Sequence, residues 1–242
     1  MTEQDNTIRL AKRVADMLPC SRREAEIYIE GAFVRVDGVV VEEPGARVAP
    51  EQTVALDKDA TLLEIAPATI LFNKPVGVSA GIDKDGPPVF GLLSEATRAE
   101  AARKERFLKR HLVNLTLESP LETSASGLVV LTQDFRVARK LSEGLEQEII
   151  VEVEGAIADN GLALLNHGLP YNGKPLAPCK VSWQNEKRLR FAIKAPKPGQ
   201  VEHMCRMVNL KVVTMKRIRI GRIAMSSLPV GEWRYLQGYE RF

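Results

Sequence analysis

An Asp-Gly dipeptide at residues 37–38 restricts the local fold more tightly than any other part of this sequence. It lies between the β-rich runs Phe33-Val34-Arg35-Val36 and Val39-Val40-Val41. Both residues readily adopt the positive φ angles of a two-residue turn whose twist matches that of paired strands. The sequence therefore predicts a β-hairpin over residues 33–41.

Two amphipathic helices are predicted ahead of this hairpin. Apolar residues recur at helical spacing over residues 8–18. Ser21 and Glu24 have the spacing of a capping box, so a second helix is expected to begin there and to end at Gly31. A further short strand over residues 53–56 completes a small predicted domain.

The helical part of this domain carries a cluster of basic residues. The order of helix, helix and hairpin, with these charges, resembles the alpha-L RNA-binding motif first seen in a ribosomal small-subunit protein. The resemblance covers residues 7–57 and implies an RNA-binding domain over residues 1–60. The RNA contacts expected here are Arg9, Lys12, Arg13, Arg22, Arg23 and Arg35. The alternative is a helix pair whose basic residues are only solvated.

Composition indicates a soluble, globular protein with 45% hydrophobic and 27% charged residues. The chain begins with a polar segment and has no apolar run near the roughly 20 residues that span a bilayer, so a cytoplasmic, non-membrane protein is expected. The three cysteines show no C-x-x-C spacing, and the three histidines show no ligand spacing. Neither a disulfide nor a metal site is therefore predicted.

Charge is distributed unevenly along the chain. From Lys180 to Phe242 there are 14 Lys and Arg residues against 4 Asp and Glu, a net charge of +10. The whole chain carries +3, so the residues before Lys180 carry −7. Concentrated positive charge indicates a polyanion partner, and a solvated basic face is the alternative.

Residues 61–242 are predicted to form a larger α+β domain around a mixed, largely antiparallel sheet. Strands are expected at 127–132, 149–153 and 215–223, and helices at 135–145, 162–166 and 201–208. In the last of these strands, alternation places Arg217 and Arg219 on one face and the isoleucines between them on the other. That face is predicted to meet water or phosphate.

A polar helix is predicted over residues 95–111. Its basic end either lines a phosphate path or is simply solvated. The residues concerned are Arg103, Lys104, Arg106, Lys109, Arg110 and His111.

Several motifs occur together in one order. They are Lys74-Pro75-x-Gly77, the run over 121–134, the segment over 168–181, Met215–Gly221 and Gly231–Arg234. In this order and spacing they resemble the bacterial ribosomal RNA pseudouridine synthases that carry an alpha-L domain. The resemblance implies conversion of uridine to pseudouridine in ribosomal RNA by a monomer that uses no metal or organic cofactor. It places Lys74, Arg217 and Arg219 among the RNA contacts.

The central motif departs from the family at its reacting residue. The family pattern is Gly-Arg-Leu-Asp, in which the aspartate acts as nucleophile or stabilises the detached sugar of a flipped uridine. Here the aspartate position holds Glu122 and the arginine position holds Pro120. The resemblance makes Glu122 the candidate catalytic residue, with a carboxylate about 1.5 Å further from the backbone. The alternative is an ordinary carboxylate on a surface loop.

Two further motifs also depart from the family. Gln147 and Ile149 stand where a lysine and a base-stacking tyrosine are expected. In the third motif, Glu202 and His203 replace arginines. These losses leave catalysis and RNA binding without catalysis, such as a role in ribosome assembly, both open.

Other interpretations of the chain carry less weight. A small-molecule enzyme on a borrowed fold would not need the basic C-terminal region. The segment Gly168–Lys174 resembles the start of a phosphate loop, but Pro175 stands where a hydroxyl residue would hold magnesium. Trp233 is either a core residue or a base-stacking residue, and its strand context favours the core.

Overall fold

The computed structural model describes residues 6–102 and 106–242. Within them the chain forms two compact units, residues 6–67 with 106–114 and residues 68–102 with 115–242. The predicted domain boundary between residues 60 and 61 stays a prediction, and the units divide after Pro67. Arg103 and Lys104, from the predicted basic helix, lie outside the described residues.

The first unit is a helix pair followed by short strands. Its elements are β1 (Ile8–Arg9), α1 (Leu10–Met17), α2 (Arg22–Glu30), β2 (Val34–Val36), β3 (Val39–Val40), β4 (Arg47–Val48) and β5 (Val54–Leu56). Strands β3, β2 and β5 form an antiparallel sheet in that order, and β1 pairs with β4. Apolar side chains of both helices and of β2 form the core.

Local sequence signals account for this unit. The Ser21 hydroxyl accepts a hydrogen bond from the Glu24 N–H at 3.2 Å, and the Glu24 carboxylate accepts one from the Ser21 N–H at 2.7 Å. These bonds lower the pKa of Glu24. At the hairpin turn, Asp37 and Gly38 have φ angles of 50° and 82°. The predicted capping box and hairpin are therefore confirmed.

Residues 106–114 belong to the first unit although they follow part of the second in sequence. The Arg106 guanidinium lies 4.3 Å from the centre of the Phe33 ring, and it donates to the Ala32 carbonyl at 2.7 Å. Arg110 forms an ion pair with Glu30 at 2.6 Å. These basic side chains have protein partners in their own unit.

The predicted helix over residues 95–111 is wrong for the part that the structure describes. That part contains only short 3-10 turns, at Glu100–Ala102 and Lys109–Leu112. The basic residues at 106 and 110 are held by cation–π and ionic contacts of the first unit, and helical periodicity does not organise them.

The second unit is built on one large sheet. Its strands are β6 (Thr69–Lys74), β7 (Thr116–Leu117), β8 (Ser126–Thr132), β9 (Glu146–Glu154), β10 (Pro170–Tyr171), β11 (Lys174–Pro175), β12 (Lys180–Asn185), β13 (Arg188–Lys194), β14 (Lys211–Ile220), β15 (Ile223–Ala224) and β16 (Trp233–Tyr235). The sheet runs β12-β13-β9-β14-β8-β6-β16, with β15 on β14 and β7 on β8. The β14–β8 pair is parallel and the others are antiparallel. The α+β, mostly antiparallel fold is confirmed.

Three helices accompany this sheet, α3 (Phe135–Ser142), α4 (Gly161–His167) and α5 (Gln200–Met207). Strands β10 and β11 form a separate hairpin. The central strands β6 and β8 are almost wholly buried. Trp233 is fully buried and its indole N–H donates to the Ser94 carbonyl at 2.8 Å, which confirms its place in the core.

Candidate active site

Glu122 lies in the loop that connects β7 to β8. The buried side chains of Leu121 and Ala125 anchor the loop on either side of it. The Leu121 N–H donates to the Ala80 carbonyl at 2.9 Å, and the Ala125 N–H donates to the Glu122 carbonyl at 3.1 Å. Glu122 itself is half-buried. The residues on both sides of Glu122 are thus packed and hydrogen-bonded.

A second loop, after β6, supports the first. The Asp83 carboxylate accepts a hydrogen bond from the Thr123 N–H at 2.7 Å. The Gly77 N–H donates to the Thr123 carbonyl at 2.8 Å, and the Ser79 hydroxyl donates to the Asp83 carbonyl. Both backbone groups of the residue after Glu122 are therefore fixed by the 77–83 loop.

Lys74 ends β6 and is fully buried. Its Nζ donates to the carbonyls of Pro75 at 3.0 Å and Val78 at 2.9 Å. The pKa of Lys74 is lowered to about 8, mainly by burial and also by repulsion from Arg217, while attraction by Glu122 and Asp83 opposes the shift. A fully buried ammonium has no surface to offer a phosphate, so the predicted RNA contact of Lys74 is not supported. It organises the turn and adds positive charge near Glu122.

Arg217 on β14 is also buried, with 2% of its surface exposed. Burial lowers its pKa to about 10, which leaves the guanidinium charged at neutral pH, and Glu122 opposes the shift. Its nitrogens donate to the carbonyls of Ser119 at 2.6 Å, Pro120 at 3.1 Å and Leu128 at 2.7 Å, and to the Gln147 side chain at 3.1 Å. Arg217 therefore holds the loop that carries Glu122.

The prediction that Arg217 and Arg219 share one exposed face is wrong. The pairing of β14 with β9 shifts register between these two residues, which breaks the strand's alternation. Arg219 is partly exposed and donates to Glu146 at 2.7 Å and Glu148 at 2.8 Å. The hydrogen bond from Arg219 is the main cause that lowers the pKa of Glu148. Arg217 thus faces the buried loop, while Arg219 joins an ion-pair network.

The Glu122 carboxylate has one backbone hydrogen-bond donor and interacts electrostatically with two buried cations. Its Oε1 accepts a hydrogen bond from the Gly199 N–H at 3.0 Å, directly before α5. The charges of Lys74 and Arg217 both interact with it. The arrangement can therefore present a negative oxygen to a bound nucleotide.

The basic residues of the first unit are arranged differently. Arg35 pairs with Asp57 at 2.8 Å and also donates to the Gly38 carbonyl. Arg22 and Arg23 are exposed and have only long contacts, 3.9 and 3.6 Å, with Glu26. Pairs of that kind in water contribute little. At α1, Arg9 and Lys12 are exposed and Arg13 is half-buried.

Comparison with known proteins identifies the N-terminal part first. The S4 domain family matches residues 8–54, within the predicted alpha-L region. The Dual-specificity RNA pseudouridine synthase RluF of Escherichia coli K12 is 27% identical over 240 residues, which cover 96% of this chain and 76% of RluF. The Ribosomal small subunit pseudouridine synthase A of Salmonella typhimurium LT2 is 29% identical over 238 residues, which cover 95% and 96%. Nearly the whole chain is thus similar to bacterial RNA pseudouridine synthases.

The fold agrees with this homology. A crystal structure of a pseudouridylate synthase matches the chain with a TM-score of 0.60 at 21% identity, over 95% of this chain and 96% of that one.

Within the described residues, no group of three or more His, Cys, Asp or Glu side chains could hold a metal ion. Across residues 6–102 and 106–242, no helix has the length and apolar character needed to cross a bilayer.

The resemblance places the reacting carboxylate at Glu122, and the structure shows which groups surround that position. The expected arginine is replaced by Pro120, and the Arg217 guanidinium reaches the Pro120 carbonyl from another strand. Ile149, at the expected tyrosine position, is buried in β9. Gln147, at the expected lysine position, binds Arg217. A cation is thus present near Glu122 from a different part of the sequence.

Sequence reasoning missed three residues at this site. The Asp83 carboxylate accepts a hydrogen bond from the Thr123 N–H, 40 residues away in sequence. The Gly199 N–H donates to the Glu122 carboxylate, 77 residues away. Tyr171 lies beside Gly199, because a Cβ atom added to Gly199 would be 3.3 Å from the Tyr171 hydroxyl. Only Tyr171 had a local signal, the Asn172-Gly173 turn that places it on a hairpin.

Proposed function

We propose that this protein binds structured RNA, ribosomal RNA in particular, and converts a uridine in it to pseudouridine with Glu122 as the reacting carboxylate. The homology to RNA pseudouridine synthases and the S4 domain support the RNA partner. In this proposal Arg9, Lys12, Arg22 and Arg23 contact phosphates. The protein acts in the cytoplasm as a monomer and without a metal or organic cofactor.

The observation that carries the catalytic part is the position of the Glu122 carboxylate. It is oriented by the Gly199 N–H and lies in the field of two buried cations, Lys74 and Arg217. A carboxylate on an unused loop would not need a buried guanidinium to fix that loop. Preorganised charge of this kind is what stabilises a reacting group in a water-poor site.

The reaction places few demands on the protein. The bond from N1 of uracil to C1′ of the ribose breaks, the base turns, and a bond from C5 to C1′ forms. The C5 hydrogen leaves as a proton and N1 gains a proton, so the nucleotide keeps its formula. Glu122 would bond to or stabilise the electron-deficient intermediate after the nucleotide is flipped out of its stack.

A second function, RNA binding without isomerisation, is favoured by a separate observation. Ile149 fills the core where the family has a base-stacking tyrosine. The hydrogen bond from Gly199 also uses one oxygen of Glu122. A site that holds a nucleotide but leaves it unchanged would have these features.

A pseudouridine map of ribosomal RNA separates the two functions. The host strain would be compared with and without the gene, after restoring wild type, Glu122→Ala or Glu154→Ala, which removes an exposed carboxylate at the end of β9. We expect a uridine that loses its modification without the gene and regains it with wild type and Glu154→Ala. Glu122→Ala should not restore it, although its affinity for RNA should stay within about twofold.

Two results would contradict catalysis by Glu122. Restoration by Glu122→Ala would show that another group performs the chemistry. Identical maps with and without the gene, from a protein that still crosslinks to ribosomal RNA, would establish the second function instead.

A further inference from the structure

We infer that Tyr171 provides the base-stacking ring of the nucleotide site. It would replace the tyrosine that the family has at the position of Ile149. This inference deepens the proposed function and rests on it. The ring comes from the β10–β11 hairpin and therefore from a part of the chain distant from β9. Together with His203 and Arg206 of α5 it forms a surface, here called the 171/203 surface, beside Glu122.

The backbone contacts place Tyr171 next to the candidate carboxylate. The Tyr171 hydroxyl donates to the Pro198 carbonyl at 2.5 Å. The next residue, Gly199, donates its N–H to Glu122 at 3.0 Å. A Cβ atom on Gly199 would lie 3.3 Å from the Tyr171 hydroxyl. One peptide unit therefore connects the tyrosine to the carboxylate.

The hairpin turn fixes where the ring can lie. Asn172 and Gly173 have φ angles of 49° and 73°, as a tight two-residue turn requires. Tyr171 pairs directly with Lys174 across this turn. The side chain is half-buried, so part of the ring remains available to a ligand. A ring held in this way loses little freedom when a base stacks on it.

His203 packs against the Tyr171 ring. The two rings meet edge to face, with centres 5.1 Å apart and planes at 64°. The His203 Nε2 lies 2.8 Å from the Pro170 carbonyl, which can only accept, so Nε2 carries a proton. Nδ1 lies 3.3 Å from an Arg206 guanidinium nitrogen, which can only donate. Neutral His203 satisfies both contacts with a single tautomer.

The charges around this surface suit a single-stranded nucleotide. Lys174, Lys197 and Arg206 are all exposed. Proteins that hold unpaired nucleotides combine an aromatic platform for the base with cations that follow the phosphates. The 171/203 surface has both parts, and the peptide unit of Pro198 and Gly199 joins it to Glu122.

A purely structural role for Tyr171 makes a different prediction, because its hydroxyl also ties the hairpin to Pro198. Tyr171→Phe removes that hydrogen bond and keeps the ring, whereas Tyr171→Ala removes both. Tyr239→Ala is the matched control, since Tyr239 is 84% exposed and lies near the C-terminus of the same unit.

The test measures the affinity of the full-length protein for two labelled probes by fluorescence anisotropy. One probe is a 12-nucleotide oligouridylate, and the other is an abasic ribose-phosphate oligomer of equal length. We expect Tyr171→Ala to weaken oligouridylate binding by about tenfold, as for the loss of one stacked base. Tyr171→Phe and Tyr239→Ala should stay within twofold of wild type. The abasic oligomer should bind all four proteins equally.

A second readout locates the contact. An oligouridylate with 4-thiouridine should photocrosslink to the wild-type peptide that contains residues 170–175. Circular dichroism and thermal unfolding would verify that each variant is folded. Equal losses in Tyr171→Phe and Tyr171→Ala, equal losses on both probes, or no loss in folded Tyr171→Ala would each overturn the inference.

The outcomes also separate this inference from the proposed function. A base-dependent loss in Tyr171→Ala, with no Glu122-dependent pseudouridine in the host, supports the 171/203 surface and rejects catalysis. Glu122-dependent pseudouridine that Tyr171→Ala forms at the wild-type rate supports catalysis and rejects the surface. If wild type binds neither probe and gives no crosslink, the surface is rejected, and the proposed function is then judged on structured ribosomal RNA.

Discussion

Lys74 and Arg217 are two buried cations that the fold keeps close to one carboxylate. Removing a charge from water is expensive unless polar groups replace the lost hydration. Here backbone carbonyls take that role for both side chains. The cost of burying these charges indicates that the region is organised around Glu122.

Lys74 leads to a prediction about stability and pH. Its pKa falls from 10.5 to about 8 in the folded protein, so the unfolded chain binds more protons between these values. The penalty is complete below pH 8 and is relieved as pH rises towards 10.5. The Lys74 contribution to the free energy of unfolding should therefore rise over this range by an amount on the order of 3 kcal/mol.

Chemical denaturation at pH 7.5 and pH 10 measures this effect. Wild type should gain stability relative to Lys74→Met between the two pH values, because methionine cannot titrate. Other titrating groups affect both proteins alike, so only the difference is interpreted. Parallel pH dependences would show that Lys74 does not have a lowered pKa.

The same residues mark the limit of prediction from sequence. The motif predicts Glu122 as the reacting residue, but the resemblance also predicts RNA contacts for Lys74 and Arg217, whose side chains the structure buries. Burial by groups such as the Pro120 carbonyl, 97 residues from Arg217, has no local signal. The position of the Tyr171 ring also depends on contacts with residues distant in sequence. Hydrophobic periodicity and composition do not predict such contacts.

At the scale of elements, the parallel pairing of β8 with β14 brings two backbones unusually close. Gly127 has a φ angle of 109°, and a Cβ atom there would lie 2.1 Å from the Arg217 carbonyl oxygen. Only glycine permits both the conformation and the approach. The close approach at Gly127 therefore sets the distance between β8, which follows the Glu122 loop, and β14, which carries Arg217.

Gly127→Ala tests this close approach. We expect a loss of about 3 kcal/mol or more in unfolding free energy, from backbone strain and from separation of the two strands. Gly91→Ala is the control, since Gly91 has open space around it and no positive φ. Thermal and chemical unfolding would measure both variants. A Gly127→Ala protein as stable as the control would mean that β8 and β14 can separate at little cost.

Elements with local signals were predicted well, and those without were not. Helix α2 has a capping box and β2–β3 has an Asp-Gly turn, so a few neighbouring residues specify each. The segment over residues 95–111 has a polar pattern that predicts a helix. Its residues Arg106 and Arg110 instead contact residues of the first unit that are distant in sequence. Tertiary contacts overrode weak helical propensity there.

For the whole molecule, uneven charge predicts a salt-dependent interaction with RNA. Each phosphate contact adds about 0.7 to 0.9 to the slope of log affinity against log salt concentration. If Arg22 and Arg23 both bind phosphate, the double variant Arg22→Ala/Arg23→Ala should reduce this slope by about 1.5. Arg136→Ala, which removes a guanidinium already paired with Asp134 at 2.8 Å, should leave it nearly unchanged.

Affinity for a ribosomal RNA stem-loop at salt concentrations between about 50 and 300 mM provides the slopes. An unchanged slope in the double variant would exclude α2 from the RNA contact, and a wild-type slope near zero would exclude RNA binding through phosphates.

The placement of residues 106–114 in the first unit has a consequence for synthesis. The ribosome releases residues 6–67 well before the segment that carries Arg106 and Arg110, and until then Glu30 and Asp57 lack those partners. N-terminal units generally fold first as a chain emerges. In this protein the first unit cannot reach its final state until β6 and the loops after it have also left the exit tunnel. Maturation of the first unit is thus timed by translation of the part of the second unit that precedes Arg106 in the chain.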